Sequence, residues 1–226
     1  MLWNNVVEPS VKTYAHLVPR PRVHDEAVRE RLLVESTRVV ADSGADALTV
    51  RDAAARAGTS SSAVYSLFGS RDALLRAVGE RASDRFARHL RSSPRTGAPA
   101  ADLLALGVAY RRFALDEPQT YLVMFTRPGA GAAHPDSGPV SGAPPFLVLL
   151  DAVRDTLRAQ PAAAAYPDGA RTDDVTRGAT HVWAFAHGWV TLELDGLLPW
   201  PASERDERYV AALRAAGPGL LGPPPA

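Results

Sequence analysis

AGTSSSAVYSLFGSRDALL, residues 57–75, sets three consecutive serines, a tyrosine and an arginine between two alanine-rich helical patterns. A stretch built only to fill a core has no use for so many small hydroxyls beside a large phenol. Gly58 closes one short helix, VRDAAARA, and Ser60 is placed to cap the next, in which Val64 and Phe68 share one face. Gly69 ends that helix and Ser70 caps a further one, Arg71 to about Leu90.

Working outward, Thr49-Val50-Arg51-Asp52 reads as a capping box at the start of the first short helix. From Asp25 a helical period appears in Val28, Leu32, Val39 and Val40, and Gly44 in ADSGAD stops it. Downstream, Leu74, Leu75, Val78, Phe86 and Leu90 form a packing stripe. Residues 25–90 therefore read as a long helix, a short helix, a tight turn, a short helix and a longer helix.

After the break SSPRTGAP (92–99), helices are expected at about 101–115, 118–126, 146–160, 173–194 and 203–216. The Gly/Pro/Ala/Ser-rich stretch 127–145 reads as a mobile loop, and AQPAAAAYPDGA (159–170) as a shorter one. No strand-like alternation or internal repeat stands out. The fold class is all-α: an irregular arm over 1–23, a three-helix helix-turn-helix domain over 24–91, and a larger helical domain over 100–217.

With 46% hydrophobic and 22% charged residues in a chain of 226, a sizeable core can be built. Cysteine is absent, which excludes disulfides, zinc-thiolate sites and a thiol nucleophile and fits a reducing cytoplasm, the expected location. The first residues lack the cationic then apolar pattern of a secretory leader. The longest charge-free helical candidate, 178–192, is shorter than the roughly 20 apolar residues of a membrane span. Net charge is zero, from 25 basic and 25 acidic residues; residues 1–91 hold 14 and 11 of these, leaving 11 and 14 for the rest. A surplus of three positive charges matters only where a motif places them.

Two short helices joined by a glycine-containing turn form a helix-turn-helix, whose second helix enters the major groove of DNA. On this reading 61–67 is the recognition helix. Val64 and Phe68 face inward, while Ser61, Ser62, Tyr65 and Ser66 face outward. Small hydroxyls let the backbone approach the duplex and donate to phosphate oxygens or base edges. Arg71 sits in the first turn of its helix, where the macrodipole disfavours a cation by about 0.3–1 kcal/mol. A phosphate there would meet helix N–H groups and a guanidinium together. An ordinary surface arginine, partly offset by Asp72, is the plainer alternative.

The stretch TVRDAAARAGTSSSAVYSLFGSRDALLRAV (49–78) resembles the TetR/AcrR family of one-component transcriptional regulators. The resemblance implies phosphate contact by Thr49, Ser60, Tyr65 and Arg71, and base-edge or backbone contact by Arg51, Ser61, Ser62 and Ser66. Ala63 and Leu67 stand where the family often has threonine and histidine, so two phosphate donors are missing and the arm residues Arg20 and Arg22 are candidates to replace them. His187-Gly188-Trp189, with Leu192, Asp195-Gly196 and Pro118…Tyr121…Met124-Phe125, resembles a subgroup with a Trp-His-Gly-type C-terminal domain.

In HVWAFAHGWVTLELDGLLPW (181–200) the helix is apolar on nearly every side and must be covered all round. A second subunit can supply that cover, with Gly188 admitting a close helix and Tyr209, Val210 and Leu213 of the final helix completing a four-helix interface. A homodimer also suits a palindromic duplex operator. The family resemblance implies a small-molecule effector, and Tyr110, Phe113, Tyr121, Met124, Phe125, Phe146, Trp183 and His187 are the candidate pocket residues. Rings at helical spacing also serve as plain core. His181 and His187, six apart, do not face the same way, so no metal pair is expected and no cofactor is implied.

The expected role is a homodimeric repressor released from its operator by a small hydrophobic ligand. The rival readings are a constitutive DNA-binding protein without ligand and a helical enzyme. For an enzyme, HExxH, a Glu-x-x-His pair, GxxxxGK[ST] and GxSxG are all missing from the sequence. Adjacent acids such as Asp116-Glu117 and Asp173-Asp174 point about 100° apart on a helix and make no carboxylate dyad.

Overall fold

Three hydroxyl side chains start three successive helices. A computed structural model describes residues 22–125, 142–160 and 172–222. It opens with α1 (Arg22–Ser43), followed by a 3-10 turn (Ala45–Ala47), α2 (Val50–Arg56), α3 (Ser61–Phe68) and α4 (Arg71–Arg91). Thr49 Oγ1 accepts from the Asp52 N–H at 3.1 Å, Ser60 Oγ from Ala63 at 3.2 Å and Ser70 Oγ from Ala73 at 3.0 Å. Each such cap is worth about 1 kcal/mol. Gly44, Gly58 and Gly69, all at positive φ, make the turns that follow α1, α2 and α3. The return half of the expected capping box gives way to a side-chain pair, because the Asp52 carboxylate turns to Arg56 at 2.8 Å.

The second half comprises α5 (Pro99–Asp116), α6 (Pro118–Val123), α7 (Pro144–Ala159), α8 (Thr172–Leu194) and α9 (Ala202–Leu221). No strand occurs among the described residues, so the class is all-α. Proline at the first position of α5, α6 and α7 has its φ pre-set for a helix and lacks an N–H that would go unpaired there. The last helix runs past the expected stop at 216 and carries Pro218 inside it. Tertiary contacts override the local sequence: Leu221 is buried beside Gly178, and Arg177 donates to the Gly222 carbonyl at 2.8 Å. Residues 1–21, most of the stretch 127–145 and most of 159–170 lie outside the described residues.

There are two cores. The first joins α1 to α4 through Leu32, Val40, Leu48, Val64, Leu74 and Val78, and the stripe expected on α1 is buried in it. The second fills the space between the far end of α4, α5, α7 and α8. Helix α4 belongs to both, giving Leu74, Leu75 and Val78 to one and Phe86, Ala87 and Leu90 to the other. The short α6 does the same within three residues: Tyr121 is buried in the second core and Val123 in the first, with Met124 packed against both. No helix among the described residues is long and apolar enough to cross a membrane.

Candidate functional site

On α3 only Val64 is fully buried, and Phe68 lies half-buried under the Arg29 guanidinium at 5.2 Å. Ser61, Ser62, Tyr65 and Ser66 are exposed, Tyr65 to 55%. A phenol left that open gains little from burial and is free to donate to a partner. Thr49 and Ser60 are exposed at the starts of α2 and α3, and Arg51 is exposed with no ion pair among the described residues. Helix N-termini, hydroxyls and an uncommitted guanidinium together make a surface suited to phosphate.

Arg71 has a more specific position than a surface arginine. Its Nε donates to the Leu48 carbonyl at 2.7 Å and Nη2 to the Ala45 carbonyl at 2.8 Å, while Nη1 lies 3.5 Å from Asp72. The side chain clamps the turn before α2 onto the start of α4, and 37% of it stays exposed. Those carbonyls offset the unfavourable helix dipole at its site.

All eight residues expected to line a pocket gather in or against the second core, and they are packed rather than parted. Tyr110 and Tyr121 hydroxyls are 2.9 Å apart, Tyr121 Oη is 2.6 Å from His187 Nδ1, and Trp183 Nε1 donates to Tyr110 Oη at 3.3 Å. Phe86 holds Tyr110 edge-on at 5.1 Å and Phe113 at 4.7 Å. Burial pushes the Tyr110 phenol up to about 12 and the Tyr121 phenol further, so both are protonated. Burial also lowers His187, favouring its neutral form. A separate cleft of about 530 Å³ lies between the ends of α4 and α7 and the start of α5, lined by Leu90, Arg95, Asp102, Val148 and Arg158. It shares none of the eight expected residues.

The outer face of α8 is open but less apolar than expected: Thr180, His181, Ala184, Gly188, Thr191 and Leu192 are exposed, Leu192 being the large apolar side chain of the group, and no atom among the described residues lies within 4 Å of where a side chain at Gly188 would begin. Tyr209 differs from expectation. It is 1% exposed, and its hydroxyl donates to the Gly107 carbonyl at 2.9 Å, so it serves its own core instead of a subunit interface. The reason is a neighbouring charge cluster that sequence reasoning missed. Arg111 donates from Nε and Nη2 to Glu193 at 2.6 and 2.7 Å and from Nη1 to Asp206 at 2.7 Å, with its guanidinium 5.5 Å from the Tyr209 ring. The available signal was Glu193 set between leucines on an otherwise apolar helix face. A lone buried acid there demands a buried cation.

The same division into two halves appears in comparison with known proteins. Residues 32–78 match the family described as bacterial regulatory proteins, tetR family, and residues 103–216 match the tetracyclin repressor-like C-terminal domain. No curated protein matches the chain. Among solved structures, regulatory protein SCO4313 is 28% identical with a TM-score of 0.63, spanning 88% of this chain and 100% of its own. A protein from Rhodococcus sp. RHA1 is 26% identical with a TM-score of 0.64, over 93% and 100%. The fold is also that of RolR, solved with resorcinol, at 19% identity and a TM-score of 0.56 over 90% and 98%.

Proposed function

Because the chain belongs to the tetR family of bacterial regulatory proteins and is a DNA-binding transcriptional regulator of that family, we propose that it acts as a homodimeric repressor whose operator affinity falls when a small molecule enters the C-terminal half. The observation that carries this reading is the division of α3: Val64 is sealed in the core while Ser61, Ser62, Tyr65 and Ser66 stand open. In the proposed complex α3 lies in the major groove, and the N-terminal ends of α2 and α3 with Arg51 grip phosphates. Arg71 acts by holding α2 and its partner helix at a fixed angle, with its remaining N–H groups reaching the backbone.

The uncharged outer face of α8 is the proposed dimer seam, with Gly188 at its centre and the outer side of α9 beside it. Two recognition helices then meet half-sites one helical turn, roughly 34–36 Å, apart or a multiple of it. Coupling runs through α6. A ligand that displaces Tyr121 in the second core moves the same short helix that holds Val123 in the first, and so changes the spacing of the two DNA-binding halves. It acts only as far as it binds that altered geometry better.

The test is a titration of duplexes carrying an inverted repeat, selected by the protein from a randomised pool. A complex of two chains per duplex, weakened by an effector, is expected; one chain per site at every concentration contradicts the dimer. A constitutive regulator without effector is the second reading, favoured by the filled state of the aromatic cluster and its paired hydroxyls. It predicts operator affinity indifferent to every compound that the protein binds.

A further inference from the structure

Phe125 stands just past α6 and is 38% exposed, yet its ring meets three aromatic partners. Tyr121 lies edge-on at 5.1 Å, His187 at 4.6 Å, and Trp183 is nearly parallel at 6.4 Å and 28°. Phe146 closes the box behind Trp183, edge-on at 6.1 Å. One exposed ring therefore plugs a box whose other walls are buried or half-buried.

With Trp183 donating to Tyr110, one order gives both phenol hydrogens an acceptor: Tyr110 donates to Tyr121 and Tyr121 to His187 Nδ1. A neutral imidazole that accepts at Nδ1 carries its proton on Nε2. That second nitrogen has no partner among the described residues. The chain of donors thus ends on an N–H of the imidazole ring whose centre lies 4.6 Å from that of Phe125. Among the described residues no charged side chain bonds to the cluster, and Arg111, a buried cation of this half, is committed to Glu193 and Asp206.

We propose that the box takes an uncharged, flat molecule of one aromatic ring bearing a carbonyl-type acceptor oxygen, which displaces Phe125, stacks on Trp183 and accepts from His187 Nε2–H. This rests on reading the C-terminal half as the effector-binding domain. An aromatic ring replaces the contacts of Phe125 in kind, face and edge. Since Phe125 is already partly in water, its release sacrifices less burial than any other wall would. A charged ligand would lose its hydration with no counter-ion to meet it. A ligand without an acceptor would cover the N–H and strip its water without replacing it, which leaves the donor unsatisfied in the complex.

The full-length protein is titrated calorimetrically with acetophenone, with cumene (the ring without the acceptor) and with cyclohexyl methyl ketone (the acceptor without the ring). Acetophenone is expected to bind, with each of the other two about five- to tenfold weaker. Phe125→Ala removes the plug and tightens acetophenone on the order of tenfold. Phe125→Leu, a milder change that protects against misfolding, tightens it less. His187→Phe keeps a ring wall and abolishes the preference of acetophenone over cumene. Equal binding of the two ketones, no binding of acetophenone, or weaker binding in both folded Phe125 variants overturns the proposal. Operator affinity measured in the same samples separates the two readings. Acetophenone that binds without changing operator affinity refutes its role as effector and leaves the box standing. Release by another compound at a site insensitive to Phe125 and His187 does the reverse.

Discussion

The amino-terminal core is built from valine, leucine and alanine, whereas the carboxy-terminal core is built around Phe86, Tyr110, Phe113, Tyr121 and Phe146. Hydroxyl placement is reversed as well. On α3 the serines and Tyr65 point to solvent over a plain aliphatic interior, while in the second half two tyrosine hydroxyls and a histidine bond to one another inside. An interior that is aliphatic apart from the buried Ser36 among the described residues asks for few polar partners, so the first half can turn most of its polar groups to an outside surface. A buried polar cluster has to be satisfied internally or by something that enters. The difference separates a face made for a macromolecule from a cluster made for packing or a small guest.

The contrast can be broken at its most buried point first. Arg111→Met leaves Glu193 buried without a cation and should cost about 3–5 kcal/mol of stability, read as a shifted urea midpoint. The cost should spare the intrinsic preference of α3 for DNA in whatever fraction stays folded. An unchanged midpoint would mean that the second half does not depend on its internal polar groups.

Arg71→Ala is next. Two carbonyls lose a charged donor, partly exposed to water, for about 1–2 kcal/mol. A small gain in stability, as relief of the helix dipole alone would give, would remove the clamp. Tyr65→Phe deletes only the phenolic oxygen from an exposed ring. Operator affinity should fall by several-fold, up to about tenfold, with thermal stability unmoved. Arg51→Ala should lower the salt slope of binding by about one, which separates a charged phosphate contact from a neutral one. An unaltered slope argues that Arg51 faces solvent in the complex.

The smallest effect concerns pH. His187 is held by burial below its ordinary value of 6.5, so the unfolded chain takes up the proton first. Its contribution is present above about 6.5 and is lost as pH falls toward the folded value. The stability gap between the parent chain and His187→Phe should therefore narrow on going from about pH 7 to about pH 5. A gap that widens on acidification would place a negative partner beside the ring.

The first half was nearly fully legible in the sequence, because its signals are local. Thr49, Ser60 and Ser70 cap where they stand, glycine follows each helix, and Val64 and Phe68 mark the inward side. The second half was legible as helices and as a group of rings. What was hidden depends on side chains far apart in sequence. Arg71 reaches back to Ala45 and Leu48, Arg111 finds Glu193 across 82 positions, and Tyr209 finds Gly107 across 102. No period or spacing encodes such pairs. The extension of α9 through Pro218 was hidden likewise, since Gly and Pro argue locally for a stop that Leu221 and Arg177 override.

If the exposed side of α3 reads a duplex, a single replacement on that side abolishes binding. With the duplex that the parent chain selects from a random pool, fluorescence anisotropy should show binding lost when Ser62→Asp sets a negative charge against the phosphates, while the melting temperature and oligomeric state hold. Binding that survives Ser62→Asp at the same affinity and sequence preference would put the DNA on some other surface of the molecule.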